Sequence, residues 1–143
     1  MTVKTILAAK GSHVVTIEPT ASVAIAARVL GERGIGSLVV TGPAGRLVGI
    51  VSERDLVKGV AAYGSAALEL PVAEIMTRKV VTCAPAETIS VIMERMTAGK
   101  FRHLPVVDCG ELAGIISIGD VVKFRLWEME NEHAALRDYI QTA

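Results

Sequence analysis

Two short polar clusters in this 143-residue chain each place a hydroxyl and a carboxylate three residues apart. They are Ser52-Glu53-Arg54-Asp55 and Ser117-Ile118-Gly119-Asp120. A carboxylate in such a position can accept hydrogen bonds from two vicinal ribose hydroxyls. A hydroxyl beside the free N–H groups of a helix start favours an anionic phosphate. The same spacing is that of a capping box, in which the hydroxyl and the acid satisfy backbone donors at a helix N-terminus. That box ordinarily uses the longer Glu or Gln, whereas both clusters carry Asp. The two uses are compatible, because a capping side chain can also hold a ligand. Arg102-His103 adds a guanidinium fork and an imidazole, both suited to a phosphate. Arg54 reads either as a further phosphate contact or as an exposed cation in the first turn of a helix.

These clusters recur because the chain is a tandem repeat. Val14-Val15-Thr16-Ile17-Glu18-Pro19 returns as Val80-Val81-Thr82-Cys83-Ala84-Pro85, 66 residues on. Gly49-Ile50-Val51-Ser52 returns as Gly114-Ile115-Ile116-Ser117, 65 residues on. The missing residue falls in a Gly/Pro turn, where an indel is tolerated. The lead-in Val3-x-x-Ile6-Leu7 matches Val72-x-x-Ile75-Met76. Each copy predicts a short strand (14–17; 80–83) stopped by proline, then a helix (22–33; 88–99) whose apolar residues follow i, i+3, i+4, i+7 spacing. Two strands joined by a turn come next (37–41 with 47–51; 104–107 with 112–117). A second helix starts near Asp55 and near Asp120. The predicted domains are 1–60 and 72–127, with a connection over 61–71 and a C-terminal amphipathic helix over 128–143. A β-α-β-β-α unit of this size has a poor surface-to-volume ratio by itself. The expected fold is therefore α+β and sandwich-like: two pseudo-twofold-related units packed sheet to sheet, with clefts between them for ligands.

The doubled unit, the two Gly-aliphatic-aliphatic-Ser-x-x-Asp motifs and Arg102-His103-Leu104-Pro105-Val106 together resemble a free-standing tandem pair of CBS (cystathionine-β-synthase-type) domains, a Bateman module. The resemblance covers residues 3 to about 126. It implies a non-catalytic regulatory module that binds an adenosine-containing ligand, AMP, ADP, ATP, NAD or S-adenosylmethionine, in the clefts between its domains. It implies that Asp55 and Asp120 hold ribose and that Ser52 and Ser117 hold phosphate. It also assigns the adenine to the first strands, here Val15, Thr16 and Ile17 and Val81, Thr82 and Cys83. Free-standing pairs of this kind are similar in forming homodimers. The two sites are expected to differ, because Arg102 and His103 align with Gly36 and Ser37, which supply no charge. A structural dimerisation adaptor with empty clefts is the competing expectation.

Composition narrows the alternatives. Fifteen basic and fifteen acidic residues give zero formal net charge, whereas a general nucleic-acid binder needs a cationic excess. The chain has five aromatic residues in all, too few for a stacking platform on single strands. The longest uncharged stretch is twelve residues, 34–45, and contains four Gly and a Pro, far short of the roughly 20 apolar residues of a membrane span. Residues 1–10 are too short and too polar for a signal peptide. A cytoplasmic protein without membrane contact is expected. Cys83 and Cys109, with His13, His103 and His133, show no metal-ligand spacing, and no P-loop, dinucleotide fingerprint or nucleophile elbow suggests an enzyme. Beyond Asp120 the residues Val122, Leu126, Met129, His133, Leu136 and Ile140 repeat at intervals of 4, 3, 4, 3 and 4. That seam either lies on its own domain or helps pair two chains.

Overall fold

A computed structural model describes residues 1–142. The elements run α1 (Val3–Lys10), β1 (Thr16–Ile17), α2 (Val23–Arg33), β2 (Ser37–Thr41), β3 (Leu47–Ser52), α3 (Glu53–Tyr63), α4 (Ile89–Gly99), β4 (His103–Asp108), β5 (Glu111–Ser117) and α5 (Ile118–Thr142). A short 3-10 helix, Gly64–Glu69, lies in the connection, and another, Val72–Glu74, lies in the lead-in of the second copy. The architecture is mixed α+β, as expected.

Local chemistry accounts for the helix boundaries. The Ser22 hydroxyl accepts the Ile25 N–H at the start of α2, and the Thr88 hydroxyl accepts that of Val91 at the start of α4. Each bond satisfies a donor that has no partner within the helix. At the end of α2, Gly34 turns left-handed at φ 62° and closes on the Leu30 carbonyl, a conformation that glycine adopts without steric cost. The buried faces are Val23, Ala26 and Leu30 on α2 and Ile89, Ile92 and Met96 on α4, the same stripe in both copies.

The strands follow the repeat with one difference. In the first copy β1 pairs parallel with β2, and β2 pairs antiparallel with β3. In the second, β4 and β5 form an antiparallel pair. Its expected first strand, 80–83, reduces to a single parallel bridge between Cys83 and Val106. That bridge is the counterpart of the Ile17–Val40 pair in β1 and β2. The first strand of the other copy is also short, two residues where 14–17 was expected.

The chain forms two compact units, and these cut across the repeat. One comprises residues 13–81; the other joins residues 1–12 to residue 82 onward. Each lead-in therefore docks on the opposite copy, through equivalent bonds. The Val3 and Lys4 amides donate to the Glu87 and Pro85 carbonyls, both at 2.9 Å. The Val72 and Ala73 amides donate to the Ala21 and Pro19 carbonyls at 2.8 and 3.0 Å. Val3 and Ile6 are wholly buried with Ile89, Ile92, Leu104 and Ile116 in one core. Val72 is wholly buried with Ala26, Leu38, Val40 and Val51 in the other.

The exchange explains the glycine that opens both motifs. A Cβ on Gly49 would lie 2.6 Å from Met76 Sδ and 3.0 Å from the Thr77 carbonyl oxygen; one on Gly114 would lie 2.7 Å from Leu7 Cδ2. Leu7 and Met76 are matching lead-in residues, and each presses on the β-strand backbone where only glycine leaves room.

Candidate functional site

Each motif sits where a strand runs directly into a helix, β3 into α3 and β5 into α5. In the first, the Ser52 amide donates to Asp55 Oδ2 at 2.9 Å and the Asp55 amide donates to Ser52 Oγ at 3.3 Å. In the second, the Ser117 amide donates to Asp120 Oδ2 at 2.9 Å and the Asp120 amide donates to Ser117 Oγ at 3.1 Å. Both are thus capping boxes closed by the shorter acid. The reciprocal bonds hold each carboxylate at a helix N-terminus, where the aligned peptide dipoles favour negative charge.

The structure also brings Arg102 and His103 to the second motif. His103 lies opposite Ser117 in the β4–β5 register, and the Arg102 carbonyl accepts the Ile118 N–H at 2.7 Å. The first unit repeats this with other residues: Ser37 lies opposite Ser52, and the Gly36 carbonyl accepts the Glu53 N–H at 3.0 Å. The alignment of Arg102-His103 with Gly36-Ser37 is therefore a spatial equivalence. One motif has a guanidinium and an imidazole beside it, and the other has a hydrogen atom and a hydroxymethyl. Arg54 is exposed in the first turn of α3, and Arg102 is exposed before β4.

A second asymmetry comes from two residues that sequence reasoning missed. In the first unit the Thr77 hydroxyl donates to Asp55 Oδ1 at 3.2 Å. Thr77 is held there by paired backbone bonds with Ile50, at 2.8 and 3.0 Å. In the second unit Lys10, the last residue of α1, brings its ammonium to 2.7 Å from Asp120 Oδ2 and to 3.0 Å from the Ile115 carbonyl oxygen. Ile115 is the counterpart of Ile50, so a lysine side chain reaches the carbonyl that backbone serves in the other copy. Burial raises the Asp120 pKa, but the Lys10 ammonium and the Ser117 amide outweigh it and hold the carboxyl below the usual range. The only signal in the sequence was position, since both residues follow shortly after the repeated lead-in.

The residues expected at the adenine divide. Thr16 is exposed and Val15 and Thr82 are half-buried, whereas the Ile17 and Cys83 side chains lie in the cores. Burial, reinforced by the charge of Glu87, pushes the Cys83 thiol up to about 11. The Thr82 carbonyl accepts a bond from Arg95 at 3.3 Å. Val81 is 44% exposed and belongs to the unit of residues 13–81, while Thr82 and Cys83 belong to the other. Both cysteines are free thiols. Among the described residues no three His, Cys, Asp or Glu side chains are grouped to hold a metal ion, and no helix is long and apolar enough to cross a membrane.

The chain has clear relatives among known proteins. The family model described as "CBS domain" matches residues 4–62 and 72–126. The CBS domain-containing protein CBSX3, mitochondrial, of Arabidopsis thaliana is 33% identical over 120 residues, 81% of this chain and 58% of that protein's length. The chain thus spans little more than half of that relative. The crystal structure of the CBS-domain containing protein ATU1752 from Agrobacterium tumefaciens superposes with a TM-score of 0.85 at 51% identity, over 87% of this chain and 92% of the other. The CBS domain pair of protein MJ0100, crystallised in complex with 5'-methylthioadenosine and S-adenosyl-L-methionine, superposes with a TM-score of 0.79 at 27% identity, over 90% of this chain and 98% of the other.

Proposed function

The chain belongs to the CBS-domain family, and on that premise we propose that it is a non-catalytic regulatory module that binds adenosine-containing ligands. The observation that carries this reading is the likeness, over nine-tenths of the chain, to the MJ0100 pair with its two adenosine ligands. The duplicated motif supplies the chemistry. In this reading Asp55 and Asp120 each accept the two ribose hydroxyls, and Ser52 and Ser117 add donors for a phosphate or another anionic group. Arg102 brings positive charge and His103 a further hydrogen-bond donor to the second motif, and Arg54 brings positive charge to the first. The adenine lies along the first strand of each copy, where Thr16 and Thr82 are the polar side chains. AMP, ADP, ATP, NAD and S-adenosylmethionine all carry the adenosine that this arrangement would recognise. A ligand would regulate by binding one geometry of the module or its dimer more tightly than another, with about 1.4 kcal/mol for each tenfold difference in affinity.

A second reading, a structural adaptor without a ligand, is favoured by the closure of both capping boxes, which gives each Ser and Asp a structural task. Thermal melting with each of the five ligands separates the two. A binder raises Tm progressively with ligand concentration, by about 2.7 kcal/mol of stability at a hundredfold excess over Kd. Asp55→Asn and Asp120→Asn should each lower that gain while keeping a cooperative melt. No shift with any ligand would favour the adaptor.

A further inference from the structure

The C-terminal seam is a continuous face of α5, which runs without a break to Thr142, sixteen residues past the end of the family match at 126. It does not lie on its own unit. Leu126 is 56% exposed, Met129 49%, Leu136 56% and Ile140 64%. A groove of about 840 Å³, lined by Ile118, Val122, Leu126 and Trp127, continues the same apolar surface toward the helix start. Such a face is not left in water when a partner is available.

We propose that its occupant is the same helix of a second copy of this chain, in a parallel, in-register, two-stranded coil. The charges beside the seam select this arrangement. With Val122, Met129 and Leu136 at d and Leu126, His133 and Ile140 at a, the flanking g positions are Arg125, Glu132 and Tyr139. The e positions are Lys123, Glu130 and Arg137. In a parallel coil each g residue faces the e residue of the next heptad on the other chain. Arg125 then meets the partner's Glu130, and Glu132 meets the partner's Arg137, so both contacts are attractive and each occurs twice. Arg125 already bonds to Glu128 at 2.7 Å on its own helix, but a guanidinium carries five donors and can serve both acids.

The antiparallel alternative fails on the same residues. Full overlap of the seam places Glu130 against Glu130, Glu132 against Glu132 and Lys123 against Arg137, all like-charged. His133 adds a register signal. A polar residue at one a position favours the alignment in which it meets its own copy, and in the parallel coil the two His133 side chains share a layer. The coil is short, fewer than three full heptads, so it would act as a clamp on domains that are already folded.

The test uses the full chain. Sedimentation should give the mass of two chains. With Cys109 replaced by serine, Ile140→Cys should form a disulfide-linked dimer on mild oxidation. A mixture of Val122→Cys and Ile140→Cys chains should give no 122–140 cross-link, the product an antiparallel pair requires. Arg137→Glu should weaken association about tenfold, and Glu132→Arg with Arg137→Glu should restore it. A monomer at every concentration, a dimer that fails to cross-link at 140, a 122–140 cross-link, or a charge swap that restores nothing would each overturn the proposal.

Discussion

Lys10 and Asp120 are 110 residues apart in the chain and 2.7 Å apart in the fold. Their pairing gives the second motif a charge contact that the Thr77 hydroxyl does not give the first. Both side chains remain partly open to water, at 34% and 24% exposure, so the pair itself contributes at most about 1 kcal/mol. Asp120 also closes a helix cap, worth about another 1 kcal/mol. Urea unfolding near neutral pH should therefore show Asp120→Ala costing about 1–2 kcal/mol and Lys10→Met less than about 1 kcal/mol. The pH dependence has a definite sign. The Asp120 carboxyl titrates lower in the folded chain than in the unfolded one, so between those values the unfolded state holds more protons. The contribution is complete above the ordinary carboxylate value of about 4 and is lost as pH falls through the lowered one. The gap between wild type and Lys10→Met should narrow in strong acid; an undiminished gap there would mean that Lys10 acts through its bond to the Ile115 carbonyl or through packing, not through Asp120. The Ser and Asp of each motif were legible because capping is local and leaves a fixed spacing. Lys10 and Thr77 were not, because nothing local announces a contact made by a segment docked on the other copy.

At the scale of elements, most helix and strand limits follow from short-range signals: Ser22, Thr88 and Ser52 open helices where a hydroxyl can cap, and Gly34 closes one. The first strands were overestimated for a tertiary reason. Val14 and Val80 have the composition of strand residues, but pairing needs a neighbouring strand in register, and β2 and β4 offer one over only two residues and one residue. Gly49 and Gly114 were legible as a repeated pattern but not as a packing device. Alanine at Gly49 would meet the Thr77 backbone as well as the Met76 side chain, whereas the three atoms nearest to an alanine at Gly114 all belong to the Leu7 side chain. A side-chain tip can move aside more readily than backbone. Gly49→Ala should cost about 1–3 kcal/mol, and Gly114→Ala should cost less. Chemical denaturation of the two variants checks the order, and an equal or reversed order would remove the close approach at Thr77 as the reason for the glycine.

At the scale of the whole molecule, the exchange of lead-ins means that the sequence repeat and the compact unit are different objects. The family model follows the repeat, at 4–62 and 72–126; the cores follow 13–81 and its complement. Burial of a Val or an Ile contributes about 1.5–3 kcal/mol, and removing residues 1–12 takes both Val3 and Ile6 from one core. A fragment of residues 13–81 should therefore show a cooperative thermal transition by circular dichroism. A fragment starting at residue 82 should show none until residues 1–12 are supplied as a peptide. Cooperative melting of the second fragment alone, unchanged by the peptide, would show that the exchanged helix is dispensable. The exchange also sets an order of events during synthesis. Chains emerge from the ribosome N-terminus first, so the unit of residues 13–81 is complete well before its neighbour. Helix α1 is made before that unit, yet Val3 and Ile6 stay uncovered until Ile116 and Val121 have been delivered, and so it docks after elements that are made later than itself.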